Sequence, residues 1–160
     1  MKWSTNKKEY YREYYRKHPE QTKKAMQKYL NSPKGQEKRR EYRLKYNQSP
    51  RGIYSGLRNR GKEKVQITRE EFVEWYRQQE KKCYYCGISE ELFKKIKKFH
   101  KSRSYRRLEI DRKDSSQPYK LGNIVLACRL CNAVKNEILT EKEMKKIAQK
   151  YIKPKWQNYV

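Results

Sequence analysis

The sequence predicts an α+β fold: a small domain built around one β-hairpin, preceded by a basic, mostly helical N-terminal arm. Three observations carry that prediction. The four cysteines fall as two Cys-x-x-Cys pairs, Cys83-Tyr84-Tyr85-Cys86 and Cys128-Arg129-Leu130-Cys131. Two segments that read as strands, 107–111 and 123–127, lie between the pairs and are joined by a turn-rich loop, 115–122. Aliphatic residues are also unevenly spread, since Leu30 and Leu44 are the only Leu, Ile, Val or Phe before Gly52. That first stretch cannot bury a core by itself, because ordering a backbone costs ~1–2 kcal/mol per residue with little apolar area to offset it. The expected division is therefore an arm, residues 1–51, and a domain, residues 52–160.

In the arm a loose repeat, Tyr-x-x-x-Pro, recurs at Tyr15…Pro19, Tyr29…Pro33 and Tyr46…Pro50. Each proline can stop one helix and start the next, so three short basic helices are expected at about 5–17, 20–31 and 34–47. The same composition also fits a solvated, partly disordered tail. After it, Ile53–Arg58 reads as a short helix and Val65-Gln66-Ile67 as a brief extended segment. Thr68-Arg69-Glu70-Glu71 has the form of a capping box and opens a helix with Phe72, Trp75 and Tyr76 on one side. Ser89 opens a further helix reaching about Lys98, and the basic run from Lys94 to Arg107 reads as a loop. A helix is expected from Cys128 or Arg129 to about Asn136. Thr140-Glu141-Lys142-Glu143 repeats the capping box and opens a last helix, with Met144, Ile147 and Tyr151 on its core side. Tyr84 and Tyr85 read as packing within the first cysteine turn, and Trp3 and Trp156 carry no functional signal.

Charge narrows the partner. The chain holds 43 Lys+Arg against 18 Asp+Glu, a net +25 with pI about 10.0, and its mean hydropathy is −1.40. Residues 1–64 alone carry 20 basic against 6 acidic side chains, over half of that net charge. A polyanion is the expected partner, with nucleic acid first. Arg39, Arg40, Arg43, Arg106, Arg107 and Lys135 are candidate phosphate contacts. No stretch approaches the ~20 apolar residues of a membrane-spanning helix, and the N-terminus lacks the apolar core of a secretion signal. A cytoplasmic, reducing location is expected, where paired cysteines bind metal more often than they form disulfides. Cys83, Cys86, Cys128 and Cys131 then predict one tetrahedral, four-thiolate zinc site. Such a closed site keeps no position open for water, so its role is structural.

The order of residues around these pairs resembles a known family. Asp111 on the first strand, then Gly122-Asn123-Ile124-Val125-Leu126-Ala127-Cys128-x-x-Cys131-Asn132-x-x-Lys135, is similar to the HNH (ββα-metal, His-Me finger) endonucleases. More narrowly, it resembles the zinc-bound members found in phages and mobile elements, including the phage endonuclease VII type. The resemblance covers about residues 83–143 and implies a hairpin and helix cradling one divalent metal ion. By resemblance, Asp111 and Asn132 are its ligands and Asn123 holds the hairpin loop. Carboxylate and amide oxygens suit Mg²⁺ or Mn²⁺. The implied function is metal-dependent hydrolysis of DNA phosphodiesters, by nicking or double-strand cleavage, in a protein of phage, virus or mobile-element type.

One departure bears on the chemistry. Where the family has its general-base histidine, immediately after the metal-binding aspartate, this chain has Arg112, and a guanidinium cannot accept a proton from water. Glu109, two residues before Asp111 and hence on the same strand face, is one substitute base or extra ligand. Asp114 or His100 is another, with Arg112 stabilising phosphate charge, although Asp114 is more simply a cap of the hairpin loop. The third account is an inactive zinc-bound module that binds DNA, branched DNA or structured RNA. The sequence leaves the oligomeric state open.

Overall fold

The computed structural model describes residues 5–59, 61–96 and 107–159. The chain divides into two compact units, Met1–Lys45 and Tyr46–Val160. Helices α1 (Thr5–Lys17), α2 (Pro19–Asn31) and α3 (Pro33–Gln48) occupy the first stretch. None of them needs a large core. Tyr10, Tyr11, Tyr14, Tyr15, Tyr29 and Tyr42 are exposed, and within this unit Gly35 is the residue that is buried.

The Tyr-x-x-x-Pro repeat is a helix-to-helix joint. Ser32 donates its hydroxyl to the Tyr29 carbonyl (2.6 Å) and accepts the Gly35 N–H (3.1 Å). Ser49 does the same between Tyr46 (2.7 Å) and Gly52 (3.1 Å), so one hydroxyl closes one helix and caps the next. The glycine is obligatory at both joints. A Cβ on Gly35 would lie 2.0 Å from the Tyr29 carbonyl oxygen, and one on Gly52 would lie 1.9 Å from that of Tyr46. The first copy differs, because His18 caps α2 without a side-chain hydrogen bond and Gln21 stands in the glycine position.

In the second unit, α4 (Pro50–Arg58) buries Ile53, Tyr54 and Leu57 against α5 (Arg69–Gln78). The Tyr54 ring lies 5.6 Å from Phe72, and its hydroxyl donates to the Ile67 carbonyl at 2.9 Å. The Thr68–Glu71 capping box is present in full, so α5 starts where the sequence places it. Phe72 and Tyr76 are buried, with Trp75 packed at the core edge. Helix α6 (Glu90–Lys95) is capped by Ser89. The remainder of the basic loop, 97–106, lies outside the described residues, and with it His100 and Arg106.

Strand β1 (Glu109–Arg112) pairs antiparallel with β2 (Ile124–Ala127), setting Glu109 opposite Ala127 and Asp111 opposite Val125. The extended segment at Val65 makes a single bridge to Tyr119. Helix α7 (Arg129–Lys135) follows the second cysteine turn directly, and α8 (Glu141–Ile147) carries the second complete capping box. The end of the chain departs from the expected helix face. A π-helical turn, Ala148–Ile152, joins α8 to α9 (Lys153–Trp156). The extra residue per turn rotates the later side chains, so Met144, Ala148, Ile152 and Trp156 face the core while Tyr151 is exposed. Tyr151 was expected on the core side, and Trp156 is a buried core residue. Among the described residues no helix is long and apolar enough to cross a membrane.

Candidate functional site

Two cysteine turns meet beneath the hairpin. In the first, Gly87 takes a left-handed φ of 76° and its N–H returns to the Cys83 carbonyl (2.9 Å). The Tyr84 N–H donates to Leu126 of β2 at 2.8 Å, which fixes this turn to the sheet. In the second, the Cys128 sulfur caps α7 by accepting the Cys131 N–H at 3.4 Å. All four cysteines are buried, and their sulfurs lie within 4.8 Å of one another. Cys86 and Cys128 Sγ are 3.8 Å apart. A tetrahedron with bonds of ~2.3 Å has edges of about 3.8 Å, so this donor set fits a four-thiolate zinc. Packed against one another, the four thiols titrate unequally: contacts with Cys128, then Cys131 and Cys86, push the Cys83 thiol down, while contacts with Cys128, Cys83 and Cys86 push the Cys131 thiol up.

β1 and α7 bring Glu109, Asp111 and Asn132 to one cavity. Glu109 and Asp111 alternate with Ile110, so both carboxylates leave β1 on one face. The Asn132 amide nitrogen donates to Glu109 Oε2 at 2.7 Å, joining α7 to the strand. Asp111 is 7% exposed, and its Oδ2 accepts the Tyr85 hydroxyl at 2.6 Å. The Lys135 ammonium lies 3.6 Å from the same oxygen and donates to Ser115 Oγ at 2.9 Å. Burial raises the Asp111 carboxyl above its ordinary value, while Tyr85 and Lys135 oppose the shift. The Tyr85 phenol is itself pushed well up, first by burial and then by its bond to Asp111.

Arg112 sits half-buried at the rim. Its guanidinium donates to the Gln117 carbonyl (3.1 Å), faces Glu137 (3.5 Å) and lies 5.0 Å from the Tyr119 ring centroid. Asn123 does not line the cavity. Its amide oxygen accepts the Asp114 N–H (3.0 Å) and its nitrogen donates to the Pro118 carbonyl (2.9 Å), so it ties the hairpin loop together. Asp114 turns toward that loop too, accepting the Ser116 N–H and hydroxyl at 2.9 and 2.6 Å. A cavity of about 370 Å³ results, lined by Glu109, Asp111, Arg112, Tyr119, Asn132 and Glu137.

Several placements differ from the sequence reading. Lys135 was expected on the helix surface, against phosphate or solvent. It is fully buried instead, because its ammonium is the counter-charge beneath Asp111. Tyr85 packs in its turn, but its hydroxyl also reaches Asp111, and the residue is completely buried. The sequence offered no signal for this, since Tyr84 and Tyr85 look alike there and only the fold separates them. Tyr84 instead donates to Glu141 at 2.6 Å. Ser115, Tyr119 and Glu137 also went unmarked, because each joins the site through the loops at its edge. Arg39, Arg40 and Arg43 are exposed and, with Tyr29 and Tyr42, line a cavity of about 670 Å³ in the arm. Arg107 is half-buried and donates to the Leu108 carbonyl at 3.0 Å.

Among solved structures, the chain is similar to the rare-cutting HNH restriction endonuclease PacI, a protein described as perturbing DNA. The TM-score is 0.58, with 28% identity, and the match covers 66% of this chain and 78% of that one. The fold is HNH-like. No protein-family model and no curated protein sequence matches. On this HNH-like fold, the hairpin and α7 are the elements that bear Asp111 and Asn132, and the four cysteines lie buried beneath them.

Proposed function

We propose that this chain is a metal-dependent DNA endonuclease that hydrolyses phosphodiester bonds. One observation carries the reading: on an HNH-like fold, a single cavity gathers Glu109, Asp111, Asn132 and the Arg112 guanidinium. Cys83, Cys86, Cys128 and Cys131 hold structural zinc in this reading. Asp111 and Asn132 hold Mg²⁺ or Mn²⁺, for which a carboxylate and an amide oxygen are suitable ligands. When bound, that cation would supply positive charge to phosphate oxygens and to the leaving 3′-oxygen.

The side chains supply the rest. Arg112, fixed by Gln117 and Tyr119, presents a permanent positive charge to the scissile phosphate. Glu109 is held in place by Asn132, and Asp111 by the Tyr85 hydroxyl. Glu109 is the carboxylate on this cavity placed to take the proton that a histidine takes elsewhere. Asp114 is engaged in its own loop, so it stays a cap in this reading. The basic arm, residues 1–51, supplies sequence-independent affinity through Lys and Arg contacts to phosphates. Arg39, Arg40 and Arg43 are the first candidates, with Arg106 and Arg107 on the domain. The similarity of pattern favours a phage, virus or mobile-element source.

Cleavage of supercoiled plasmid with Mg²⁺ or Mn²⁺ tests the proposal. Wild type is expected to nick or linearise the plasmid and Asp111→Ala to lose that activity by at least about 10²-fold. Equal, negligible cleavage by both proteins at full zinc occupancy returns the chain to a binding module. Competition between duplex DNA, branched DNA and RNA then identifies what it binds.

A further inference from the structure

The C-terminal segment reaches the zinc cluster through a residue that no metal-binding pattern marks. Trp156, only 5% exposed, directs its indole N–H at Cys86 Sγ, 3.2 Å away. Seventy positions separate the two residues in sequence. The approach exists because the π-helical turn at Ala148–Ile152 rotates α9 inward, bringing Trp156 onto the core face with Met144, Ala148 and Ile152. From the same turn, Gln149 donates to the Tyr85 carbonyl at 2.8 Å. The first cysteine turn is thus held from one side by two hydrogen bonds of the C-terminal segment. Tyr85 in turn holds Asp111 through its hydroxyl.

An indole N–H is a donor only, and a thiol sulfur is a weak acceptor, so a buried pair of this kind gains little while the sulfur is neutral. A thiolate is a far better acceptor, because a hydrogen bond to an ionised group is roughly twice as strong as a neutral one. We infer that Trp156 is a positioning residue of the zinc site: its N–H stabilises the Cys86 thiolate in the metal-bound state. Through this bond the C-terminal helix and the metal stabilise each other, and the Gln149 and Tyr85 contacts pass that order to Asp111. The inference rests on the reading of the four cysteines as a zinc site, and it does not depend on nuclease activity.

Cobalt(II) substitution in the full-length chain tests it. Wild type is expected to give the absorption of tetrahedral tetrathiolate cobalt; if it does not, the zinc reading itself is wrong. Trp156→Phe keeps an aromatic ring in the core but removes the N–H. It is expected to weaken metal affinity in chelator competition by about 10-fold, the lower end of what loss of an outer-shell partner costs. It should also move the thiolate-to-cobalt charge-transfer band to lower energy, because the sulfur lone pairs lose a stabilising proton donor. Ile152→Val removes buried volume from the same face without touching sulfur, and should leave the band where it is. A wild-type band and wild-type affinity in Trp156→Phe overturn the inference. A band that shifts equally in Ile152→Val does the same, since general loosening would then explain it.

Discussion

Asp111 shows how one residue takes its properties from its neighbours. Isolated, it is an ordinary carboxylate; here burial raises it while Tyr85 and Lys135 converge on one of its oxygens. Lys135 is tolerated with no exposure because that carboxylate and the Ser115 hydroxyl face it. Arg112 stands where the resemblance implies a histidine, so in the proposed reaction another group accepts the proton, and one variant tests Glu109 in that role. If Glu109 takes the proton, Glu109→Gln lowers cleavage by about 10²-fold or more at unchanged zinc content. Activity kept in Glu109→Gln denies Glu109 that role. Single-turnover rates measured at saturating DNA separate these outcomes from changes in binding.

At the scale of elements, joints and caps follow local rules that a sequence states openly. Both capping boxes form as their sequences imply, with Thr140 holding the Glu143 carboxylate below its ordinary value of 4.5. A carboxyl lowered on folding stabilises the native state above that value, and this stabilisation fades as pH falls through the folded pKa. Melting temperatures of wild type and Glu143→Gln should therefore differ at neutral pH and converge as the solution is acidified below about 4.5; a constant gap contradicts this. The Ser-Pro-x-Gly joint makes a sterner demand. Gly52→Ala sets a methyl against a backbone carbonyl, and is expected to destabilise the second unit by more than about 1 kcal/mol in denaturant melts.

Over the whole molecule, charge and apolar surface are divided between different parts of the chain. Residues 1–64 carry over half of the net +25, whereas the buried core runs from Ile53 to Trp156. A chain lacking residues 1–45 is therefore expected to keep the four-cysteine core and lose duplex affinity. The slope of log affinity against log salt should fall by ~0.9 for each phosphate contact removed. Full affinity with an unchanged slope denies the arm its role. Fluorescence anisotropy with labelled duplex at several salt concentrations makes the comparison.

Sequence by itself determined what depends on near neighbours along the chain. The helix starts at Thr68, Ser89 and Thr140, the proline joints, the two strands and each Cys-x-x-Cys pair were all legible, because each follows from residues within a few positions. So were the candidates Glu109, Asp111, Arg112 and Asn132, which the fold gathers on one cavity. Tertiary structure alone decided which of two adjacent tyrosines meets Asp111, that Lys135 is buried, and that Trp156 reaches Cys86. The physical reason is common to all three. Each depends on how a side chain meets a partner at least 24 positions away in sequence, through the pairing of β1 with β2 and one π-helical turn. No local pattern specifies that meeting.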